Sequence, residues 1–490
     1  MSDAPFAVTF LGHQGWFVRG DDTAILIDPL LCEPFGAAHA LDYRVWPPRA
    51  WTVGELPPID AVVLSHEHDD HFDIPSLAKL DRRVAIYLSS RSSPAARGIL
   101  AAMGFTDVRP LAPGARVAIG ALDVLPFTGD HVNVNCGEEW DTLPMIVRHR
   151  GGAGSLFTMV DITITPQHVE WARAAVSRPG LVTWTNNSMD WSHMTDWLPV
   201  RADATHQAFM KMGTGHKLIA STWGTPAAML TCAGGFSFAG GDDRAWLNAH
   251  AFCVDMEQVC KAMLGVYRKE RFVAARPGNT FAMKANRLER VDDRAPFLAS
   301  VPAAEWPSRA KQAGDPRAGD VPDYAPATGR RELTDAERGE LAERVGAVAG
   351  ELVGGAVFRG LCSLLATEHP RPTFAFVARD GDARREYAYD LVDCRFVGGP
   401  FDAGARTLAG LECWGSDLLA VLRGELGPIA LSFGRARLWN ALPARFRFKI
   451  FDELHRISHP MRRADAYAAT YARLYAPHAS EAPVIRARVP

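Results

Sequence analysis

The chain has 490 residues, a formal net charge of −3, 48% hydrophobic and 22% charged residues. That make-up is ordinary for a soluble globular protein, and the length allows two or three domains with their own cores. It gives no long-range attraction for nucleic acid or acidic membranes, and no run of apolar residues is long enough to span a bilayer. The eight cysteines are scattered without a Cys-x-x-Cys pair. The start, Met1-Ser2-Asp3-Ala4-Pro5, lacks the basic and apolar regions of a signal peptide. Reduced thiols in the cytoplasm are the expectation.

In chain order, residues 6–28 read as three strands, broken at Gly12 and at Gly20-Asp21-Asp22, with Asp28-Pro29 closing the third. Residues 36–58 carry Trp46, Pro47, Pro48, Trp51, Pro57 and Pro58, an irregular loop that is either a pocket wall or a surface cover. Ile59-Asp60-Ala61-Val62-Val63-Leu64 reads as a buried strand, and Asp73-Ile74-Pro75 as a capped helix start. Between them lies Ser65-His66-Glu67-His68-Asp69-Asp70-His71. In an extended backbone, side chains two apart point the same way, so His66 and His68 can converge on one ion while Glu67 points away. After the turn, Asp70 and His71 suit a second ion beside the first. Imidazole and carboxylate are ligands for zinc, iron or manganese alike.

The pattern His66-x-His68-x-Asp70-His71 resembles the signature of the metallo-β-lactamase superfamily. Val8-Thr9-Phe10-Leu11-Gly12-His13, Gly15-Trp16-Phe17-Val18 and Ala24-Ile25-Leu26-Ile27-Asp28-Pro29 look like the first strands of its lactonase-like branch, that of the L-ascorbate-6-phosphate lactonases and N-acylphosphatidylethanolamine phospholipases D. The resemblance covers roughly residues 6–285. It implies an α/β fold, an αββα sandwich of two packed sheets with the metals at one edge. It also implies that Asp28 supports the histidine loop and that His13 is a structural or supporting residue.

The resemblance extends along the chain. His131, in Thr128-Gly129-Asp130-His131, matches the third histidine of the first metal. Asp161, which ends the strand Ser155-Leu156-Phe157-Thr158-Met159-Val160, matches the bridging carboxylate, with Val160 in place of the usual glycine. The first ion would then have His66, His68, His131 and Asp161; the second, Asp70, His71 and Asp161. The family's last histidine stands in Pro-x-His-Trp/Tyr-Gly-Thr near the end of a late strand. Here Ala220-Ser221-Thr222-Trp223-Gly224-Thr225 puts Thr222 there. Either His193 or His216 fills the gap, or the second ion is weak, or it keeps an open position for substrate or dioxygen. The stretch 185–194 follows a strand and offers Asn186, Asn187 and His193 as candidates for gripping a polar substrate, or is an ordinary polar loop.

Residues 204–212 read as a helix, and 245–266 as one long helix with Cys253 and Cys260 on one face. Residues 302–331, rich in Pro, Ala, Gly, Asp and Arg, read as a linker between a metal-binding domain (1–301) and a smaller C-terminal α/β domain (332–490). The latter opens with a Thr334/Glu337 capping box, then a hairpin around Asp380-Gly381-Asp382, a helix over 416–422, strands over 429–433 and 436–439, and two terminal helices. In outline it is similar to the sterol-carrier-protein-2 type.

The leading expectation is a metal-dependent hydrolase of an ester, lactone or phosphodiester, acting on a small molecule through a metal-bound hydroxide oriented by Asp70, with two divalent ions, zinc first. The alternatives are a di-iron oxygenase on the same fold and a non-catalytic binding protein.

Overall fold

The computed structural model describes residues 4–128, 140–186, 204–238, 244–251, 254–268, 271–309, 326–329, 331–353, 374–390, 395–398, 409–440 and 450–488. The first sheet is built from β1 (Phe6–Gly12), β2 (Gly15–Gly20), β3 (Thr23–Ile27), β4 (Ala61–Leu64), β5 (Ala85–Ser89) and β6 (Val108–Leu111). The second holds β7 (Val117–Ile119), β8 (Leu122–Pro126), β9 (Met145–His149), β10 (Ser155–Thr158), β11 (Leu181–Asn186), β12 (Ala228–Ala233) and β13 (Phe272–Ala274). The chain then returns to the first sheet with β14 (Thr280–Lys284) and β15 (Arg287–Asp292), giving the orders β15-β14-β1-β2-β3-β4-β5-β6 and β13-β12-β11-β10-β9-β8-β7.

Each sheet has an antiparallel half made of hairpins and a parallel half made of crossovers. The crossover helices supply the outer layers: α1 (Ile74–Ala78) and α2 (Pro94–Ala102) on the first sheet, and α3 (Pro166–Ala175), α4 (Ala204–Trp223) and α5 (Met256–Val266) around the second. Both faces of the central strands are therefore covered, which explains their unbroken apolar runs. In β4, Ala61 and Val63 join Phe10, Trp16, Ile25, Val147 and Leu230 between the sheets. Val62 and Leu64 face Leu77, Ile99 and Leu100 in the outer layer. This is the expected αββα sandwich.

The last part of the chain holds a five-stranded sheet of β16 (Phe374–Asp380), β17 (Ala383–Asp390), β18 (Arg395–Gly398), β19 (Ala409–Trp414) and β20 (Ala436–Asn440), in the order β18-β17-β16-β19-β20. Helices α6 (Asp335–Val353), α7 (Gly415–Arg423) and α8 (Ile450–Ile457) share its core. The β16–β17 hairpin turns at Gly381, with φ of 60°, as Asp-Gly-Asp leads one to expect.

Several local expectations are corrected. Residues 245–266 do not form one helix: Leu247–His250 is a separate short turn, and Asp255 caps α5 through the backbone N–H groups of Glu257 and Gln258. Residues 429–433 are not a strand: the first three lie in a 3₁₀ turn, Pro428–Leu431, because Pro428 favours a first helical position and has no N–H for a ladder. The helix expected over 204–212 runs on to Trp223.

The division at 301 and 332 also differs from the packing. The final helix α9 (Ala464–Tyr475) lies on α1 and α2, with Tyr467 and Tyr471 inside the first domain's outer core. The tail after it pairs Ile485 with Leu80 and Ala487 with Ile59. The chain's end thus completes the first domain.

Candidate metal centre

The site forms where strand ends of the two sheets meet. From the first sheet come His13 and Gln14 after β1, Asp28 after β3 and the loop 65–71 after β4. From the second come Asp161 after β10, Thr185 in β11 and Cys232 in β12. Gly12, with φ of 109°, and Gly15 let the β1–β2 turn close against neighbouring backbone and side chains. Three residues here take left-handed backbone angles without being glycine: His13 (φ 52°), Asp28 (φ 43°) and Val160 (φ 53°). Such strain persists only where the surroundings over-determine it. At Val160 they do: its carbonyl accepts from Gln14 Nε2 at 3.0 Å and from the Thr185 hydroxyl. That aims Asp161 at the histidines, and explains how a β-branched residue stands where glycine is usual.

The donors converge. His66 Nε2 lies 3.0 Å from His68 Nδ1 and 3.8 Å from Asp161 Oδ2. His71 Nε2 lies 3.1 Å from Asp161 Oδ2 and 3.6 Å from Asp70 Oδ2. His13 Nε2 lies 2.7 Å from Asp70 Oδ2. Three overlapping donor sets able to hold a metal ion result: His66, His71 and Asp161; His68, Asp70 and Asp161; and His13, Asp70 and His71.

Around them stands a supporting ring. Asp28 accepts from the Ser65 backbone N–H at 2.8 Å and from Ser65 Oγ at 2.6 Å. It also faces His71 Nδ1 at 2.9 Å, which directs the other ring nitrogen to the centre. Gln14 Nε2 donates to Asp161 Oδ1 at 3.0 Å, and Gln14 Oε1 accepts from the Cys232 thiol at 3.1 Å. Glu67 points away, as its alternation with His66 and His68 leads one to expect. It accepts from Ser93 N, Ser93 Oγ and the Tyr471 hydroxyl at 2.7, 2.6 and 2.9 Å.

The electrostatics ask for a cation. Burial pushes the Asp161 carboxyl up, but His71, His66 and His13 outweigh it and hold it far below the usual range. Asp70 is lowered too: His71 and His13 overcome the cost of burial. His71 is raised well above the ordinary histidine value despite burial, because Asp70, Asp161 and Asp28 surround it. His66 is pushed well down, first by burial and then by His71 and His68, and so keeps a neutral ring suited to ligation. The His71 ring thus stands among three acidic side chains, Asp28, Asp70 and Asp161. The donor set fits zinc, iron or manganese ions.

His66, His68, Asp70, His71 and Asp161 are thus brought together. His131, Asn187 and His193 lie outside the described residues, and Asn186 ends β11. Two expectations are corrected. Thr222 is in the last turn of α4, where its hydroxyl donates to the Leu218 carbonyl at 3.2 Å, so Trp223-Gly224-Thr225 ends a helix and not a strand. His216 does not reach the centre; it is buried beside Met229 Sδ at 3.2 Å, between Tyr267 and Phe272. The histidine beside Asp70 is instead His13. Gln14 was given no role by the sequence, although two polar residues between glycines in an apolar hairpin were a signal. Trp140, 6.1 Å from the His68 ring, and His459, 4.3 Å from the Trp140 ring, bring the C-terminal part near the mouth of the site. Trp46 and Pro47 help line a cavity of about 390 Å³ that also touches Cys232 and Trp306 and whose lining includes none of the metal-loop residues.

Residues 23–220 match the family model described as a beta-lactamase superfamily domain. That stretch carries the pattern of the metallo-β-lactamase superfamily. Among curated proteins, the chain is 31% identical over 133 residues to the 4-amino-L-phenylalanyl-[CmlP-peptidyl-carrier-protein] 3-hydroxylase of Streptomyces venezuelae, covering 25% of this chain and 23% of that protein. It is 31% identical over 74 residues to an uncharacterized protein of Mycobacterium tuberculosis, covering 15% of this chain and 20% of that protein. The chain thus spans less than a quarter of the length of these relatives. Among solved structures, it is similar to an isothiocyanate hydrolase from Delia radicum gut bacteria, at 15% identity and a TM-score of 0.40 over 57% of this chain and 99% of that one. It is also similar to CmlA, a diiron β-hydroxylase from Streptomyces venezuelae, at 16% identity and a TM-score of 0.37 over 56% and 54%.

Proposed function

We propose that this chain is a dinuclear metal-dependent hydrolase acting on an ester, lactone or phosphodiester of a small molecule in the cytoplasm. The observation that carries the reading is the placement of Asp161. Its Oδ2 lies 3.8 Å from His66 Nε2 and 3.1 Å from His71 Nε2, and Asp70 Oδ2 stands 3.6 Å from the same His71 nitrogen. A carboxylate so shared can hold two cations a few ångströms apart. His66, His68 and Asp161, with His131 by family pattern, would hold one ion. Asp70, His71, His13 and Asp161 would hold the other, with zinc the leading assignment. When bound, such ions supply Lewis acidity toward the scissile oxygen and lower the pKa of water. The chain's own part is to aim these groups. Asp28 fixes the His71 ring, Gln14 holds the outer oxygen of Asp161, and Asp70, paired with His13, orients the attacking group. Asn186, Asn187 and His193 remain our candidates for gripping substrate. The lactonase-like pattern of the first strands carries the choice of bond class.

A second reading, a di-iron oxygenase, is favoured by the 31% likeness to the 3-hydroxylase. Metal content by mass spectrometry, on wild type and Asp161→Ala purified side by side, tests both. About two zinc ions per chain, lost in the variant, is the expected result. About two iron ions, with near-ultraviolet absorption, would transfer the assignment to oxygen chemistry. No ion would leave only a binding protein.

A further inference from the structure

Arg435 begins the turn into β20, just after Phe433 (φ 59°) and Gly434 (φ 77°). It is 6% exposed, and among the described residues its guanidinium makes no hydrogen bond or ion pair; Nε and Nη1 are sealed from water. Buried guanidinium groups are almost always paired, because an uncompensated buried charge is among the costliest features a fold can carry. Tyr43 is 2% exposed, and its hydroxyl is likewise without a partner among the described residues. The two are neighbours: the Phe433 ring lies 5.3 Å from the Tyr43 ring, and each of Tyr43 and Arg435 acts on the other's ionisation.

A second cation adjoins them. Arg244 is 5% exposed, lies over the Phe238 ring at 5.3 Å, and has its Cγ 3.7 Å from where a Cβ on Gly434 would stand. Burial, then Arg244, lower the Arg435 pKa to about 10. The carboxylates that act on Arg435 through space do not satisfy it. Asp417 accepts from the backbone N–H groups of Ala327 and Thr328 and from the Thr328 hydroxyl, at 2.8, 2.9 and 2.7 Å. Asp42 is exposed.

We propose that Tyr43, Arg244 and Arg435 form a binding site for the anionic head of a small-molecule ligand, a phosphate or a carboxylate, held between the metal domain and the C-terminal sheet. The Nε–H and Nη1–H of the Arg435 guanidinium and the Tyr43 hydroxyl each offer such a group a donor that has no partner among the described residues. The site is joined to the metal centre by one aromatic step. Tyr43 stacks on Phe236 at 4.2 Å, and Phe236 lies 4.8 Å from His13. The proposal does not need the metals, and an occupied site would clamp the two parts of the chain together.

The test is thermal unfolding of the full metal-loaded chain with inorganic phosphate and, separately, acetate, for wild type, Arg435→Met and Tyr43→Phe. Without anion, Arg435→Met is expected to be at least as stable as wild type, since it removes a buried charge that lacks a partner. Millimolar phosphate or acetate should raise the wild-type midpoint by about 2 °C or more. That response should be weaker by at least tenfold in affinity in Arg435→Met, and severalfold weaker in Tyr43→Phe. Whichever anion acts identifies the head group. Phosphate binding at the metals is common to all three proteins and cancels. Equal responses in wild type and Arg435→Met would overturn the site. So would an Arg435→Met chain that is less stable than wild type, or unfolded, without anion, since Arg435 would then have its partner within the chain.

Discussion

At the scale of single residues, the fold brings His13, and not Thr222, to Asp70. The sequence motif puts Thr222 at the second ion, but its hydroxyl is engaged with its own helix. His13 is 2.7 Å from Asp70. His13→Ala is therefore expected to lower the metal content from about two ions per chain to about one, while Thr222→Ala leaves it unchanged. Side-by-side metal analysis checks both, and equal loss in the two variants would refute this assignment. Gln14 belongs to the same scale. Gln14→Ala removes the donor to Asp161 Oδ1 and the acceptor of the Cys232 thiol. It should weaken metal affinity by about tenfold or more, read by competition with a chelator. The short motif was legible because its histidines and carboxylates lie within six residues of one another, just after a strand. His13 was not, because its partner Asp70 is remote in sequence and only the fold joins them.

At the scale of elements, α9 matters most. Its Tyr471 hydroxyl is one of three donors to Glu67, the residue between the two metal-loop histidines. Burial raises the Glu67 pKa, so each donor that stabilises its carboxylate counts. Tyr471→Phe is expected to cost ~1–2 kcal/mol in urea unfolding. A cost near zero would mean that α9 packs on the loop without holding it. Helix periodicity gave α9 its approximate place but not its destination. An amphipathic helix declares a buried face and leaves open which sheet it covers.

At the scale of the whole molecule, the ends are tied together. A chain stopped at residue 301 lacks Tyr467, Tyr471 and Ile485, and so exposes Phe72, Leu77 and Leu80 of the outer core. It is expected to be insoluble or to aggregate on size exclusion; a stable monomer would show that the returning segment is dispensable. Stability should also depend on pH through Asp141. Burial first, and then Glu67, raise its pKa to about 7. The folded state then keeps a proton that the unfolded chain releases above about 4. The contribution is full below that value and is lost as pH rises through about 7, so the denaturant midpoint should fall between pH 5 and pH 8. Asp141→Asn should flatten this slope and raise the midpoint at pH 8.

The sequence marked out the metal loop from its own residues; the two-sheet sandwich came from the resemblance to the metallo-β-lactamase superfamily, and the bridging place of Asp161 belongs to our proposal. The loop rests on local order, a strand that runs into alternating histidines; the sandwich and the carboxylate rest on motifs shared with that superfamily. Only the tertiary structure decided that His13 faces Asp70, that α4 swallows Thr222, and that the chain's end packs on the helices outside the first sheet. It also decided that Tyr43 and Arg435 meet in a buried corner. These are contacts between segments tens to hundreds of residues apart. Their energies come from burial and charge at sites that no local pattern encodes.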